Sequence, residues 1–196
     1  MQGVAQGADD GTGSRRPEML AGEVRRAVAA HRAEGSREEE SRQRVLDLLD
    51  RVARPFDEHA GPRHMTASAV VAGPRGTVLH RHKRLHQWMQ PGGHIDPGEA
   101  PWGAALRESQ EETGLALSHP AGGPRLIHVD VHNAANGHEH FDLRYLLLAG
   151  DEDPKPPPDE SPEVRWVPWE EAGTLADVSL TGALAAARRQ PEVTRP

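Results

Sequence analysis

The chain has 196 residues, 36 % hydrophobic and 27 % charged, with a formal net charge of −7 when histidine is neutral. That length suits one domain with an appendage, and the acidic balance argues against nucleic-acid binding, which calls for basic surface. No apolar run approaches the roughly 18 residues of a membrane span, no apolar signal core opens the chain, and the absence of cysteine removes disulfides, thiolate metal sites and thiol nucleophiles.

The cytoplasm is the expected location. Residues 1–16 lack periodicity and are expected to be a disordered tail. Residues 17–61 read as a helical extension of two helices. The first, "PEMLAGEVRRAVAAHRAEG", is expected to end on Gly35 as its C-cap. The second opens with Ser36 and Glu39 at capping-box spacing and lines up Val45, Leu48, Leu49 and Val52 on one face. Such an extension suits packing on its own domain or a homodimer; it carries no evident chemistry.

Residues 62–192 read as one strand-rich domain. "MTASAVVAG" and "GTVLHRHK" are expected strands around a turn at Pro74–Gly76, and "HQWMQ" a short third one. "RLIHVDVH" and "HEHFDLRYLLLA" suit a hairpin around "NAANG". "EVRWVP" is a last strand, followed by a helical tail from Trp169. One helix is inserted, with Pro101 in its first turn and Gly114 as its C-cap. The fold class is mixed α/β.

On that inserted helix Glu108, Glu111 and Glu112 share a face. Like charges so spaced repel by tenths of a kcal/mol per pair, an effect Arg107 offsets in part through Glu111. The face is either a solvated acidic surface or a hard-cation site, since Mg²⁺ and Mn²⁺ prefer carboxylate and carbonyl oxygens. The flanking residues bear on that choice. Gly93, Glu99, Arg107-Glu108, Glu111-Glu112, Gly114 and Leu115 stand at the spacing of a Nudix box, Gly93–Leu115. From about Met65 to Trp169 the chain resembles the Nudix hydrolases. Ser109 departs from the pattern, which usually has an aliphatic residue there to pack the helix on the sheet.

The resemblance implies a mixed β-sheet sandwiched between helices. It implies a hydrolase using Mg²⁺ or Mn²⁺ to cleave the pyrophosphate bond of a nucleoside diphosphate linked to another group. Glu108, Glu111 and Glu112 would be metal ligands, with the backbone carbonyl of Gly92 or Gly93 as a further one. Arg107 and Glu99 would brace loop and helix. The base that takes a proton from water would be Glu108, Glu112 or Glu160, the last on the acidic loop before the final strand. An alternative is a catalytically silent nucleotide-binding or sensor protein, against which the intact glutamate cluster speaks. A third, an isopentenyl diphosphate isomerase on this fold, relies on a cysteine that the chain lacks.

Ten of the twelve histidines lie from His64 to His140. With "NAANG" as the hairpin loop, His132 pairs with His138, Asp130 with His140 and His128 with Asp142. Strand alternation then puts these six on one face, and Ile127, Val129, Val131, Phe141, Leu143 and Tyr145 on the other. The polar face has three readings: a hydrogen-bonded surface, a substrate wall using His132, His138, His140 and Asp142, or a transition-metal site. Trp88 either stacks on a base or packs in the core. No mark downstream of the box selects a substrate.

Overall fold

The structure, a computed structural model, describes residues 17–134 and 137–194. The tail expected at 1–16 and two residues of the "NAANG" loop lie outside the described residues. Helices α1 (Pro17–Ala30) and α2 (Ser36–Arg51) precede strands β1 (Arg63–Gly73), β2 (Gly76–Arg81), β3 (Trp88–Met89) and β4 (Gly92–His94). Helix α3 (Pro101–Thr113) leads to β5 (Leu117–Ser118), β6 (Leu126–Asn133), β7 (Glu139–Ala149) and β8 (Val164–Val167). Helices α4 (Trp169–Leu175), α5 (Val178–Arg188) and α6 (Pro191–Thr194) follow.

These strands form one mixed sheet around β1. β1 runs parallel to β7, from Arg63 opposite Glu139 to Ala72 opposite Leu148. Along its other edge β1 divides its length between two partners. Thr66 to Ser68 pair with β4, and Val71 to Gly73 pair with β2. The division leaves β4 at the mouth of a fork in the sheet, which is where the box begins.

Alternation along β1 and β7 builds two apolar layers. Met65, Ala67, Ala69, Val71, Phe141, Leu143 and Tyr145 meet Leu20, Val24, Val28, Val45 and Leu48 of α1 and α2, with Ala104 and Ala105 of α3. Val70, Ala72 and Leu146 meet Leu180, Ala183 and Leu184 of α5. The sheet is thus sandwiched between helices. Val28 and Val45 are fully buried, each worth about 1.5–3 kcal/mol relative to exposure. The N-terminal helices therefore pack on the sheet itself.

Several sequence expectations change in detail. α1 ends at Ala30, not Gly35; Gly35, at φ 84°, is instead the N-cap of α2. The expected Ser36–Glu39 capping box is replaced by Glu38. Its buried carboxylate accepts from Glu34 N at 2.6 Å, from Val129 N at 3.1 Å, and meets His31 Nε2 at 2.7 Å. The tertiary partners on β6 outbid the local cap, while Glu39 turns outward to Arg42 at 2.6 Å. The helical tail from Trp169 breaks at Asp177, whose carboxylate caps α5 through Leu180 N at 2.8 Å. Gly92–His94, to which the sequence assigned no strand, forms the short β4.

The hairpin register also needs correction. His132 pairs with His140, Asp130 with Asp142 and His128 with Arg144. The loop sits one residue later than expected, because the start of β7 is fixed by its parallel pairing with β1. Glu139 N donates to Pro62 O at 2.8 Å, and Arg44 pairs with Glu139. One residue of loop movement changes the register by two, so the polar residues keep their shared face. An irregularity between Leu126 and His128 sends Ile127 to the opposite apolar layer, beside Leu146.

Candidate active site

Helix α3 starts at Pro101 and ends where Gly114 turns left-handed, at φ 66°. A Cβ at Gly114 would collide with the carbonyl of Lys155, so glycine is required by space as well as by conformation. Leu115 then enters the core beneath the helix. These two positions fix how far the acidic face of α3 is advanced over the sheet.

Arg107 organises that face. Its guanidinium donates to Glu99 from Nε at 3.1 Å and from Nη2 at 2.8 Å. Nη2 also reaches His94 O at 3.0 Å, and Nη1 reaches Glu108 at 2.7 Å and Glu111 at 3.2 Å. One side chain thus ties the box loop, β4 and two helix carboxylates together. These contacts, that to Glu99 above all, hold Arg107 firmly protonated. Glu99 also accepts from Asp96 N at 3.1 Å, closing the loop on itself.

The three glutamates differ in setting. Glu111 is exposed, while Glu108 and Glu112 have side chains only 20 % and 16 % exposed. Burial pushes Glu112 up to about 8; the Gly92 N–H, donating to it at 2.8 Å, opposes this, and the charges of Glu108, Glu160 and Glu111 add to it. Burial also raises Glu108, against the pull of Arg107. A Cβ on Gly93 would stand 2.6 Å from the Glu108 carboxyl, so glycine leaves that space free. Glu160 lies 48 positions from Glu112 in sequence, yet its charge is felt there, as the loop before β8 is pinned by Ser161 Oγ donating to Arg81 O at 2.7 Å.

His80 is a residue that the sequence did not place in the site. It is buried on β2, with Nδ1 3.6 Å from Glu112 Oε1, and burial pushes it down to about 4. Pairing of β2 with β1 brings it there, which spacing alone does not reveal. Ser109 is fully buried with an unpartnered hydroxyl, so it occupies the aliphatic position of the box without packing like one.

The polar sheet face divides in two. Asp142 is 3 % exposed and accepts from Thr66 Oγ1 at 3.1 Å, Ser68 Oγ at 2.7 Å and Arg144 Nε at 2.9 Å. Asp130 accepts from Arg144 at 3.3 Å and Arg37 at 3.0 Å. These carboxylates satisfy a buried arginine; Asp142 does not line an open wall. His132, His138 and His140 are half-buried at the other end of the face, where His64 and His94 join them. Trp88 packs partly against the α5 layer, with the Arg165 guanidinium 4.8 Å from its ring centre, so one face of the indole is already covered. A cavity of about 650 Å³ lies between the end of α2 and the box loop, lined by Leu49, Val52, Phe56, Ile95, Pro97 and Glu99.

A family model described as the NUDIX domain matches residues 62–189. The asymmetrical bis(5'-nucleosyl)-tetraphosphatase of Caenorhabditis elegans is 31 % identical over 103 residues, spanning 50 % of this chain and 71 % of that protein. The isopentenyl-diphosphate Delta-isomerase of Streptomyces griseus is 32 % identical over 141 residues, spanning 63 % and 70 %. Among solved structures, a NUDIX-family hydrolase from Clostridium perfringens matches with a TM-score of 0.53 and 27 % identity, covering 64 % of this chain and 93 % of that one.

Proposed function

The chain belongs to the NUDIX domain family, and on that premise we propose that it is a divalent-metal-dependent hydrolase of a nucleoside diphosphate linked to another group. It is a phosphoanhydride hydrolase of the Nudix type; the metal dependence and the substrate class are the proposed part. The observation that carries them is the grouping of three carboxyls on one face of α3, Glu108 and Glu111 held by Arg107 and Glu112 by the Gly92 N–H, with Glu160 within electrostatic reach of Glu112.

The donor set fits Mg²⁺ or Mn²⁺. Carboxylate oxygens are the ligands hard cations choose. Two of these carboxyls are held above their ordinary range by burial, as expected of groups awaiting a positive charge. Gly93 leaves open the space against Glu108 that a side chain would fill. Glu108, Glu111 and Glu112 would hold the ion, with a carbonyl of Gly92 or Gly93 nearby. When bound, the cation neutralises phosphate oxygens and makes coordinated water acidic.

The chain's own residues do the rest. Arg107 fixes Glu108 and Glu111 in one geometry, so little reorganisation is needed on binding. The Gly92 N–H orients the Glu112 carboxylate by holding Oε2. Glu160 is the candidate to take a proton onto its carboxylate from the attacking water, a role typically worth about 10²–10⁴ in rate. Its place on a loop, outside the Arg107 network, leaves it free for that task.

A screen of nucleoside diphosphate compounds, dinucleoside polyphosphates included, with Mg²⁺ and with Mn²⁺ tests this. Phosphate-bearing products that disappear in Glu112→Gln are expected. Saturable nucleotide binding without turnover across the panel would favour the silent binding protein. The similarity to the Streptomyces isomerase raises a second reading, isomerisation of isopentenyl diphosphate. The absence of any cysteine speaks against it, and conversion of that substrate by the chain would establish it.

A further inference from the structure

Beyond the carboxylate cradle lies a cluster of imidazoles with different chemistry. β1 pairs His64 with His140 of β7, and pairs Thr66 with His94 of β4. The fork in the sheet therefore converges three strands on one point. Each of His64, His94 and His140 offers a ring nitrogen, and these three atoms lie within 4.8 Å of one another. The His64 ring centre is 5.2 Å from that of His94 and 4.9 Å from that of His140.

Two features separate this cluster from a chance gathering of polar residues. His64 is fully buried, and its Nε2 has no hydrogen-bond partner. A buried orphan nitrogen of this kind is costly to maintain unless something else satisfies it. Its other nitrogen, Nδ1, faces Gly61 O at 3.4 Å, which assigns the proton to Nδ1 and leaves a lone pair on Nε2. His94 repeats the arrangement: its Nδ1 is 3.2 Å from the Glu58 carboxylate. A carbonyl or carboxylate holding the far nitrogen is the outer support that metal-bound histidines have.

We propose that His64, His94 and His140 form a second metal site, which takes a transition metal of the zinc class and leaves a fourth position open. Imidazole nitrogens select such a metal, whereas Mg²⁺ prefers the oxygens of Glu108, Glu111 and Glu112. Three nitrogens bound at about 2.0–2.1 Å in a tetrahedron stand about 3.3 Å apart. The nitrogens thus close by about 1.5 Å from their 4.8 Å spread, within the range of side-chain rotation. Three protein ligands with one open position is the ligand count of a zinc site that binds water or substrate. Solvent reaches the site beside His94, whose side chain is 42 % exposed. His94 directly follows Gly93, so β4 carries a member of each centre. The two sites are distinct in ligand type, and the imidazole site does not depend on the hydrolase reading.

Cobalt titration of the full chain, stripped of metal with EDTA and desalted, tests this. One equivalent of Co²⁺ should give the intense visible absorption of four- or five-coordinate cobalt, persist in a large excess of Mg²⁺, and be displaced by Zn²⁺. His64→Gln and His140→Gln should raise the Co²⁺ Kd at least about 100-fold. His94→Gln, at the most exposed of the three positions, carries the test should the other two variants fail to fold. Glu58→Gln should raise it about 10–100-fold, as loss of an outer support does, while Glu112→Gln leaves it unchanged. Weak six-coordinate cobalt absorption, displacement by Mg²⁺, or loss of binding in Glu112→Gln but not in the histidine variants would overturn the assignment.

Discussion

Glu112→Gln should stabilise the metal-free protein at high pH while abolishing hydrolysis. The native carboxyl keeps its proton up to about 8, because burial and the charges of Glu108, Glu160 and Glu111 penalise the anion more than the Gly92 N–H helps it. In the unfolded chain it ionises near about 4.3, as an ordinary glutamate does. Between those values the native state binds the extra proton. Its contribution to stability is complete below the unfolded pKa and is lost as pH rises through the folded one. At about 1.4 kcal/mol per pH unit, the loss by about pH 9 is roughly 3–5 kcal/mol. Glutamine stays neutral, and its amide oxygen still accepts from Gly92 N, so the variant escapes the loss. Urea unfolding in EDTA at about pH 5 and about pH 9 measures it. The two proteins should be close at the lower pH, and the variant should exceed wild type by that amount at the higher. Mg²⁺ should then restore wild type selectively. A variant that is no more stable than wild type at either pH would show that the carboxylates are not crowded for a cation.

Glu160→Gln should lower kcat by about 10²-fold or more with KM little changed, read from steady-state kinetics, if its carboxylate takes the proton from water. Ser109→Ala removes a buried, unpartnered hydroxyl and should raise unfolding stability by about 1 kcal/mol, measured by urea midpoint. Gly114→Ala forces a side chain into a left-handed turn and against Lys155 O; it should cost at least about 1–2 kcal/mol on the same assay. Asp130→Asn weakens one of the two carboxylate contacts of the buried Arg144, which keeps Asp142, and should cost about 1–3 kcal/mol. Burial opposes the Asp130 anion, but the His132 and Arg144 contacts prevail and hold its pKa below the ordinary range. Wild type therefore has this contribution above about pH 3.9 and loses it as pH falls further, so the difference between the two proteins should narrow in acid.

The acidic helix was legible because its information is local. Pro101, Gly114 and the spacing of Glu108, Glu111 and Glu112 set the helix, its end and its face, and Arg107 reaches Glu111 within one turn. Alternation likewise predicts the polar face of the hairpin even where the register is wrong, since a shift of two residues preserves it. The capping of α2 was misread because Glu38 answers to Val129, 91 positions away, and not to its own turn.

The alternation of strands and helices, the carboxylate face and the loop that precedes it are readable from the chain alone, because each follows from residues a few positions apart. What those carboxylates face depends on long-range folding: Glu160 arrives on a distant loop, His80 arrives on β2, and burial raises Glu112. The same is true of the imidazoles. His64, His94 and His140 are scattered over 77 positions, and only the pairing of β1 with both β4 and β7 brings their nitrogens together. Strand partners are chosen by long-range packing and by the register of the whole sheet, and no local pattern in the chain encodes that choice.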